Sequence, residues 1–187
     1  MEKYWQQALT FEQYMEYAEK KAAETTETPD PNLEYYQLGL QRMNRTLKTY
    51  KVSEEMLEQL KSKNFDGKIL IISEPWCGDA SAIVPAVARF FEAAGVQVRV
   101  FLRDSDNSLI KQFLTDGSES IPKVLIINND DTVRNTWGPR PAYGLGLLKK
   151  FKENPEVYPR ETFYNDLQVY YAKNRGADAI QEIVELI

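Results

Sequence analysis

The sequence has a single cysteine, Cys77, and no histidine among its 187 residues. Catalysis by Ser-His-Asp or Cys-His arrangements, histidine acid–base chemistry and zinc sites built from cysteine and histidine are therefore excluded. Cys77 is the one soft nucleophile of the chain. Because one cysteine cannot close an intramolecular disulfide, the fold does not depend on an oxidising compartment.

Cys77 lies in the segment Trp76-Cys77-Gly78-Asp79-Ala80, between a predicted strand and a predicted helix. The apolar run Lys68 to Ser73 is typical of a strand buried on both faces, and helical spacing then continues to Ala94, before Gly95. A thiol at a helix start lies near unpaired backbone N–H groups at the positive end of the helix dipole. We therefore expect the pKa of Cys77 to lie below that of a free thiol, although the charge of Asp79 opposes this shift. Asp79 is also expected to cap the helix.

Three further strands are predicted after that helix. Val96 to Leu102 alternates apolar and polar residues, and so short a strand–helix–strand connection predicts a right-handed parallel pair. Lys123 to Ile127 and Thr132 to Trp137 flank a polar turn, which predicts an antiparallel hairpin. A helix is expected around Ser108 to Leu114. The expected sheet order is Val96 to Leu102, Lys68 to Ser73, Lys123 to Ile127, Thr132 to Trp137.

Helical patterns occupy the two ends of the chain. Residues 1 to about 64 contain three, of which the first begins with a Thr10/Gln13 capping box and the third with Ser53 as its cap. Thr28-Pro29-Asp30-Pro31 interrupts the pattern between the first two. Helical spacing returns from Leu145, with a break at Arg175-Gly176. The aromatic residues of both ends fall at helical spacing, which favours core packing over a ligand groove.

Several short motifs resemble those of thioredoxins. Trp76-Cys77-Gly78 is similar to the opening of their Trp-Cys-Gly-Pro-Cys motif. Pro85 falls where that family has the proline that kinks its active-site helix, Ser120-Ile121-Pro122 resembles the cis-proline segment, and Gly138 resembles the glycine after the last strand. The resemblance extends over residues 53 to 151. It implies a thioredoxin-like α/β fold of three layers, with a central four-stranded mixed sheet flanked by helices.

The same resemblance suggests how the chain is organised. We expect an N-terminal helical extension (residues 1–52), a thioredoxin-like core (residues 53–151) and a C-terminal helical extension (residues 152–187). No linker is long enough to separate the last part, so one structural unit is expected.

Two departures from the thioredoxin pattern affect the expected chemistry. Ala80 stands where a thioredoxin has its second, resolving cysteine, and Ile71 stands where the family usually buries an acid. Dithiol reductase chemistry is therefore not expected. A Cys77 thiolate can still attack a disulfide and form a mixed disulfide that an external thiol such as glutathione resolves. Oxidation of Cys77 by peroxide to a sulfenic acid, reduced by an external thiol, is a second monothiol route.

The resemblance also assigns a substrate-binding surface around Cys77. It implies that Trp76 forms a shelf beside the thiol and that the backbone at Ile121, before a cis Pro122, pairs with an extended substrate. Gly78 and Asp79 belong to the same surface. The partner implied is a protein or a low-molecular-weight thiol or disulfide. The alternative is a catalytically degenerate thioredoxin-fold module that binds a protein partner, which the loss of the second cysteine and the buried acid favours.

Composition and motifs exclude other classes of ligand. The net charge is 23 minus 28, or −5, which argues against nucleic acid and anionic membrane surfaces as partners. No segment has the length and apolarity of a signal peptide or a membrane span, so a cytoplasmic location is expected. No cofactor is expected, because phosphate-loop and dinucleotide motifs are absent. No metal is expected either, because Asp104-Ser105-Asp106 lacks the glycine and glutamate of a calcium loop.

Overall fold

The computed structural model describes residues 1–25, 28 and 30–187, so Pro29 of the expected helix break lies outside the described residues. Its centre is a mixed sheet with the strand order β1-β3-β2-β4-β5. The strands are β1 (Leu9–Thr10), β2 (Lys68–Ser73), β3 (Gln97–Leu102), β4 (Lys123–Ile127) and β5 (Val133–Trp137). The helices are α1 (Glu2–Gln7), α2 (Phe11–Ala22), α3 (Leu33–Thr49), α4 (Glu54–Ser62), α5 (Gly78–Ala93), α6 (Ala142–Glu153), α7 (Arg160–Asn174) and α8 (Ala177–Leu186).

Strand β2 is the centre of the sheet, as its apolar run predicts. It pairs in parallel with β3, where Ile71 faces Val100, and antiparallel with β4, where Ile71 faces Val124. Residues Ile69 to Ile72 have no exposed surface, because both faces of the sheet are covered. The hairpin of β4 and β5 is also antiparallel, as predicted.

The sheet has five strands among the described residues, not the four expected. Leu9 and Thr10 form a two-residue edge strand that pairs antiparallel with Val100 and Arg99 of β3. So short a strand cannot show alternation in the sequence, and Thr10 is also the N-cap of α2, where its side chain and that of Gln13 form the capping box. The capping signal is therefore visible in the sequence, and the strand is not.

The expected helix at residues 108–114 is a single 3₁₀ turn, Ile110–Gln112. A side-chain turn precedes it, in which Asp106 Oδ1 accepts a hydrogen bond from the Ser108 backbone N–H at 2.9 Å. Leu109 and Ile110 are fully buried under the sheet. The apolar residues of this segment therefore fix a single turn against the sheet and do not form a longer helix.

Helices α2, α3, α5 and α8 cover one face of the sheet, while α1 and the 3₁₀ turn cover part of the other. Helix α5 is buried along most of its length and contains Pro85, and Gly95 follows it with φ +77°, in the left-handed region that glycine favours. Tyr14 and Phe163, two of the aromatic residues at the ends of the chain, are buried in the core on this α5 side of the sheet. In the described part of the chain, no helix has both the length and the apolarity to cross a membrane.

Candidate active site

Cys77 lies at the junction between β2 and α5, as the sequence predicts. It is the N-cap residue of α5, and its backbone carbonyl accepts a hydrogen bond from the Ser81 N–H at 2.9 Å. Its thiol is partly buried and donates to the backbone carbonyl of Ile121, with 3.4 Å between Sγ and O. The Ile121–Pro122 peptide bond is cis, and the residue after β5, Gly138, is packed so closely on the Pro122 carbonyl that a side chain there would overlap it.

The expected low pKa of Cys77 is wrong. Burial first, and the charge of Asp79 second, raise the pKa of this thiol to about 11. The backbone N–H groups of Ala80 and Asp79 at the helix start do favour the thiolate, as expected, but they are outweighed. The desolvation of the thiol depends on how the whole fold buries it, so the local motif could not predict it.

Asp79 does not cap helix α5 as expected. Its carboxylate is directed away from the helix backbone: Oδ2 lies 2.6 Å from Nη2 of Arg140, and Oδ1 accepts a hydrogen bond from the Tyr171 hydroxyl at 2.8 Å. Asp79 is 9% exposed, and burial raises its pKa against the opposing effects of Arg140 and Tyr171. The partners of this buried carboxylate come from the loop before α6 and from α7, far from the motif in sequence.

Trp76 directly precedes Cys77 in the connection between β2 and α5. It is partly exposed, its indole N–H donates to Asp104 Oδ2 at 3.1 Å, and the guanidinium of Arg103 lies 5.0 Å from the centre of its ring. These contacts hold the ring at the edge of the site. Asp104 therefore orients the Trp76 ring. The segment Asp104-Ser105-Asp106, which begins like a calcium loop, makes hydrogen bonds within the protein.

A groove of about 850 Å³ opens over Cys77. Its lining includes most of the predicted substrate-binding residues, namely Trp76, Gly78, Asp79 and Ile121, whereas Pro122 is buried behind it. The groove also contains four arginines that the sequence analysis missed, because no local pattern connects residues so far apart. They are Arg42 on α3, Arg103 after β3, Arg140 before α6 and Arg160 at the start of α7.

A buried acid, Glu74, lies three residues after Ile71, the position of the missing family acid. It is 1% exposed and directly follows β2, and its Oε1 accepts a hydrogen bond from the Asp104 backbone N–H at 2.7 Å. Burial raises its pKa to about 7, opposed by that hydrogen bond and by the charge of Arg103. An acid at the end of a fully apolar strand was the sequence signal that could have found it. Among the described residues, no three Asp, Glu or Cys side chains come together as a metal site would require.

Comparison with known proteins gives a family and a fold. A family model described as thioredoxin matches residues 26–152. No curated protein matches the chain. Two similar solved structures are an HIV epitope scaffold (13% identity, 96% of this chain and 92% of that chain covered, TM-score 0.63) and a protein of unknown function from Pseudomonas aeruginosa (14%, 96% and 91%, TM-score 0.58). At these identities the likeness to the two structures concerns the fold alone.

Proposed function

The chain belongs to the thioredoxin family, and from this membership we propose that Cys77 carries out thiol–disulfide exchange by a monothiol mechanism, with an external thiol as the resolving partner. The observation that carries this function is the position of the Cys77 thiol, at the start of α5 and inside a groove that is large enough for a substrate. The residue one helical turn later is Ala80, which is fully buried and has no sulfur to compete with the substrate.

The reaction requires a substrate disulfide and an external thiol. The Cys77 thiol loses its proton to solvent, and the thiolate attacks one sulfur of a substrate disulfide, so that a Cys77–substrate disulfide forms and the other substrate sulfur leaves as a thiolate. A thiol such as glutathione then attacks the mixed disulfide and regenerates Cys77. The glutathione–substrate disulfide that remains is reduced by a second glutathione, and oxidised glutathione leaves. A cytoplasmic location, which supplies reduced glutathione, is part of this proposed function.

The raised pKa of Cys77 limits the rate that the thiol can reach alone. With a pKa of about 11, roughly one Cys77 in 10⁴ is ionised at pH 7. The higher nucleophilicity of a more basic thiolate recovers part of this loss, which leaves a rate roughly 20- to 30-fold below that of a free thiol. The rate gain from holding a bound substrate next to the thiol can outweigh this loss, because effective molarities of well-oriented groups are far larger than a factor of about 30. Catalysis at this site therefore depends on binding in the groove.

The Ile121 carbonyl connects binding with ionisation. In the free protein this carbonyl accepts the Cys77 S–H. When an extended substrate pairs with the backbone here, its N–H donates to the same carbonyl, as in other cases of strand addition. The substrate N–H then competes with the thiol for this carbonyl, and this weakens a contact that favours the protonated form.

The second candidate is a protein-binding module in which Cys77 has no redox role. The raised pKa of the thiol favours it, because a protonated, partly buried cysteine is a poor nucleophile. The groove itself suits either function. The two candidates differ in whether substrate turnover depends on the sulfur of Cys77.

Reduction of a peptide disulfide with excess glutathione separates the two functions. We expect the protein to accelerate the reaction in proportion to its concentration and Cys77→Ser to return the rate to that of glutathione alone. Binding of the same peptide to Cys77→Ser, followed by fluorescence anisotropy, is expected to persist. If the wild-type protein gives no acceleration while both proteins bind the peptide, the binding module is correct and exchange is not.

A further inference from the structure

Three arginines contact the three residues that surround Cys77 in the motif. The guanidinium of Arg103 lies over the Trp76 ring, and that of Arg140 pairs with Asp79. Arg42 lies over Gly78, so closely that a Cβ on Gly78 would lie 3.4 Å from its Nη1. Guanidinium groups therefore lie next to the residue before Cys77 and next to the two residues after it.

The groove is cationic although the chain as a whole carries a net charge of −5. Among the described residues, Asp79 is the one carboxylate that lines it, and Arg140 already pairs with it. Arg103 pairs with Asp104, which lies outside the groove lining. Within the described part of the chain, neither Arg42 nor Arg160 forms a salt bridge. Burial lowers the pKa of Arg42 and the charge of Arg45 lowers it further, while the charge of Asp79 opposes this shift.

The cationic surface continues beyond Cys77. A second depression of about 400 Å³ shares Leu38, Arg42 and Gln168 with the groove and adds Arg45. The groove alone has a volume near the upper end of the range of small-molecule pockets. With its continuation, it is suited to an extended chain more than to a compact ligand.

We propose that the substrate of Cys77 is an acidic peptide segment, whose Asp and Glu side chains on both sides of the reactive sulfur pair with the groove arginines. This substrate class rests on the proposed exchange function. Guanidinium groups bind carboxylates through paired hydrogen bonds. Because Arg42 and Arg160 lie on different helices, α3 and α7, they match several carboxylates spaced along a chain better than they match one anion. The backbone carbonyl of Ile121 offers a partner for the main chain of the same segment.

The test uses three synthetic peptides of equal length, each with one cysteine as a mixed disulfide with 2-thiopyridine. The cysteine is flanked by Glu, by Gln or by Lys. Attack of Cys77 on the peptide sulfur forms the protein–peptide disulfide and releases 2-thiopyridone, whose absorbance gives the rate. We expect the Glu peptide to react at least about tenfold faster than its Gln isostere and the Lys peptide to be slowest, with differences that shrink at high ionic strength.

Substitutions in the groove test the role of the arginines. Arg42→Gln and Arg160→Gln are each expected to lower the ratio of the Glu-peptide rate to the Gln-peptide rate by about threefold or more, and Arg42→Lys to restore part of it. Arg134→Gln is the matched control, because Arg134 is exposed on β5 and lies outside the groove. Its ratio should equal that of the unmodified protein. Thermal unfolding of each variant verifies that it is folded.

The outcomes distinguish the substrate class from the function. Equal rates with the three peptides, at a level that Cys77→Ser abolishes, would overturn the acidic substrate and leave exchange intact. Release no faster than with Cys77→Ser for every peptide would overturn exchange itself. If the mixed disulfide of glutathione with 2-thiopyridine, a small substrate with two carboxylates and the same leaving group, reacts as fast as the Glu peptide, the peptide part of the assignment is wrong.

Discussion

Arg140 and Asp79 form a nearly buried ion pair two residues from the Cys77 thiol, with 2.6 Å between Nη2 and Oδ2. Their side chains are 16% and 11% exposed. Tyr171 donates its hydroxyl to the other carboxylate oxygen, so the pair joins the start of α5 to the loop before α6 and to α7. Helix α7, which lies outside the expected thioredoxin-like core, therefore contributes directly to the surroundings of the reactive group.

Removal of one member of this pair should destabilise the protein, because the remaining charge stays buried without its partner. We expect Arg140→Gln to lower the free energy of unfolding by about 3 kcal/mol and Tyr171→Phe by about 1 kcal/mol. Urea denaturation measures both. Lys149→Gln is the control, because it breaks an exposed pair with Glu153 and should cost less than about 0.5 kcal/mol. An Arg140 variant as stable as this control would show that the pair contributes nothing.

Alkylation of Cys77 as a function of pH tests the electrostatic role of Asp79. The midpoint should lie well above the roughly 8.5 of a free thiol, because burial and Asp79 raise the pKa of Cys77 to about 11. Asp79→Asn should lower the midpoint, since it removes the charge and leaves that of Arg140 in place. Glu153→Gln, an exposed substitution on α6, should not move it. A midpoint at or below that of a free thiol would mean that the helix end outweighs desolvation.

Glu74 should make the protein less stable as the pH rises. Its carboxyl has a folded-state pKa of about 7, raised by burial from an ordinary 4.5, so the folded state holds a proton that the unfolded state has lost between these values. The free energy of unfolding of the wild-type protein, relative to Glu74→Gln, should therefore fall by up to about 3 kcal/mol between pH 4.5 and pH 7 and then level off. Denaturant titrations at several pH values measure this difference. A difference that rises with pH, or stays constant, would contradict a buried and protonated Glu74.

Helix α3 packs so closely against the site that the addition of one methyl group to it should destabilise the fold. A Cβ on Gly39 would overlap the backbone carbonyl of Pro75, two residues before Cys77. We expect Gly39→Ala to destabilise the protein by about 1–3 kcal/mol. Gly146→Ala, in α6 where a Cβ meets no atom, should instead be neutral or stabilise by up to about 1 kcal/mol. Thermal unfolding compares the two, and equal effects would mean that α3 does not pack as described.

The elements with strong local patterns were predicted from the sequence. The apolar run of β2, the break at Gly95 and the polar turn between β4 and β5 each depend on residues within a few positions of one another. Strand β1 was missed because two residues carry no period. The fold class followed from these patterns together with short motifs around Cys77.

The surroundings of Cys77 were less accessible to sequence reasoning. Arg42 precedes Cys77 by 35 positions and Tyr171 follows it by 94, and only the packing of α3 and α7 on α5 brings them to the site. Burial, which is a property of the whole fold, reversed the expected direction of the Cys77 pKa. The position of the thiol was thus visible in the sequence, whereas its electrostatic environment was not.

Intact-mass analysis after reaction with a peptide disulfide tests monothiol exchange most directly. At mildly alkaline pH, we expect the protein to gain the mass of one peptide half, to release one equivalent of the other half and to return to its original mass when glutathione is added. Cys77→Ser should gain nothing. Ala80→Cys, which places a second thiol one helical turn away, should not retain the adduct, because that thiol resolves it. If the folded protein forms no adduct under conditions in which the denatured chain does, Cys77 does not act as the exchanging thiol.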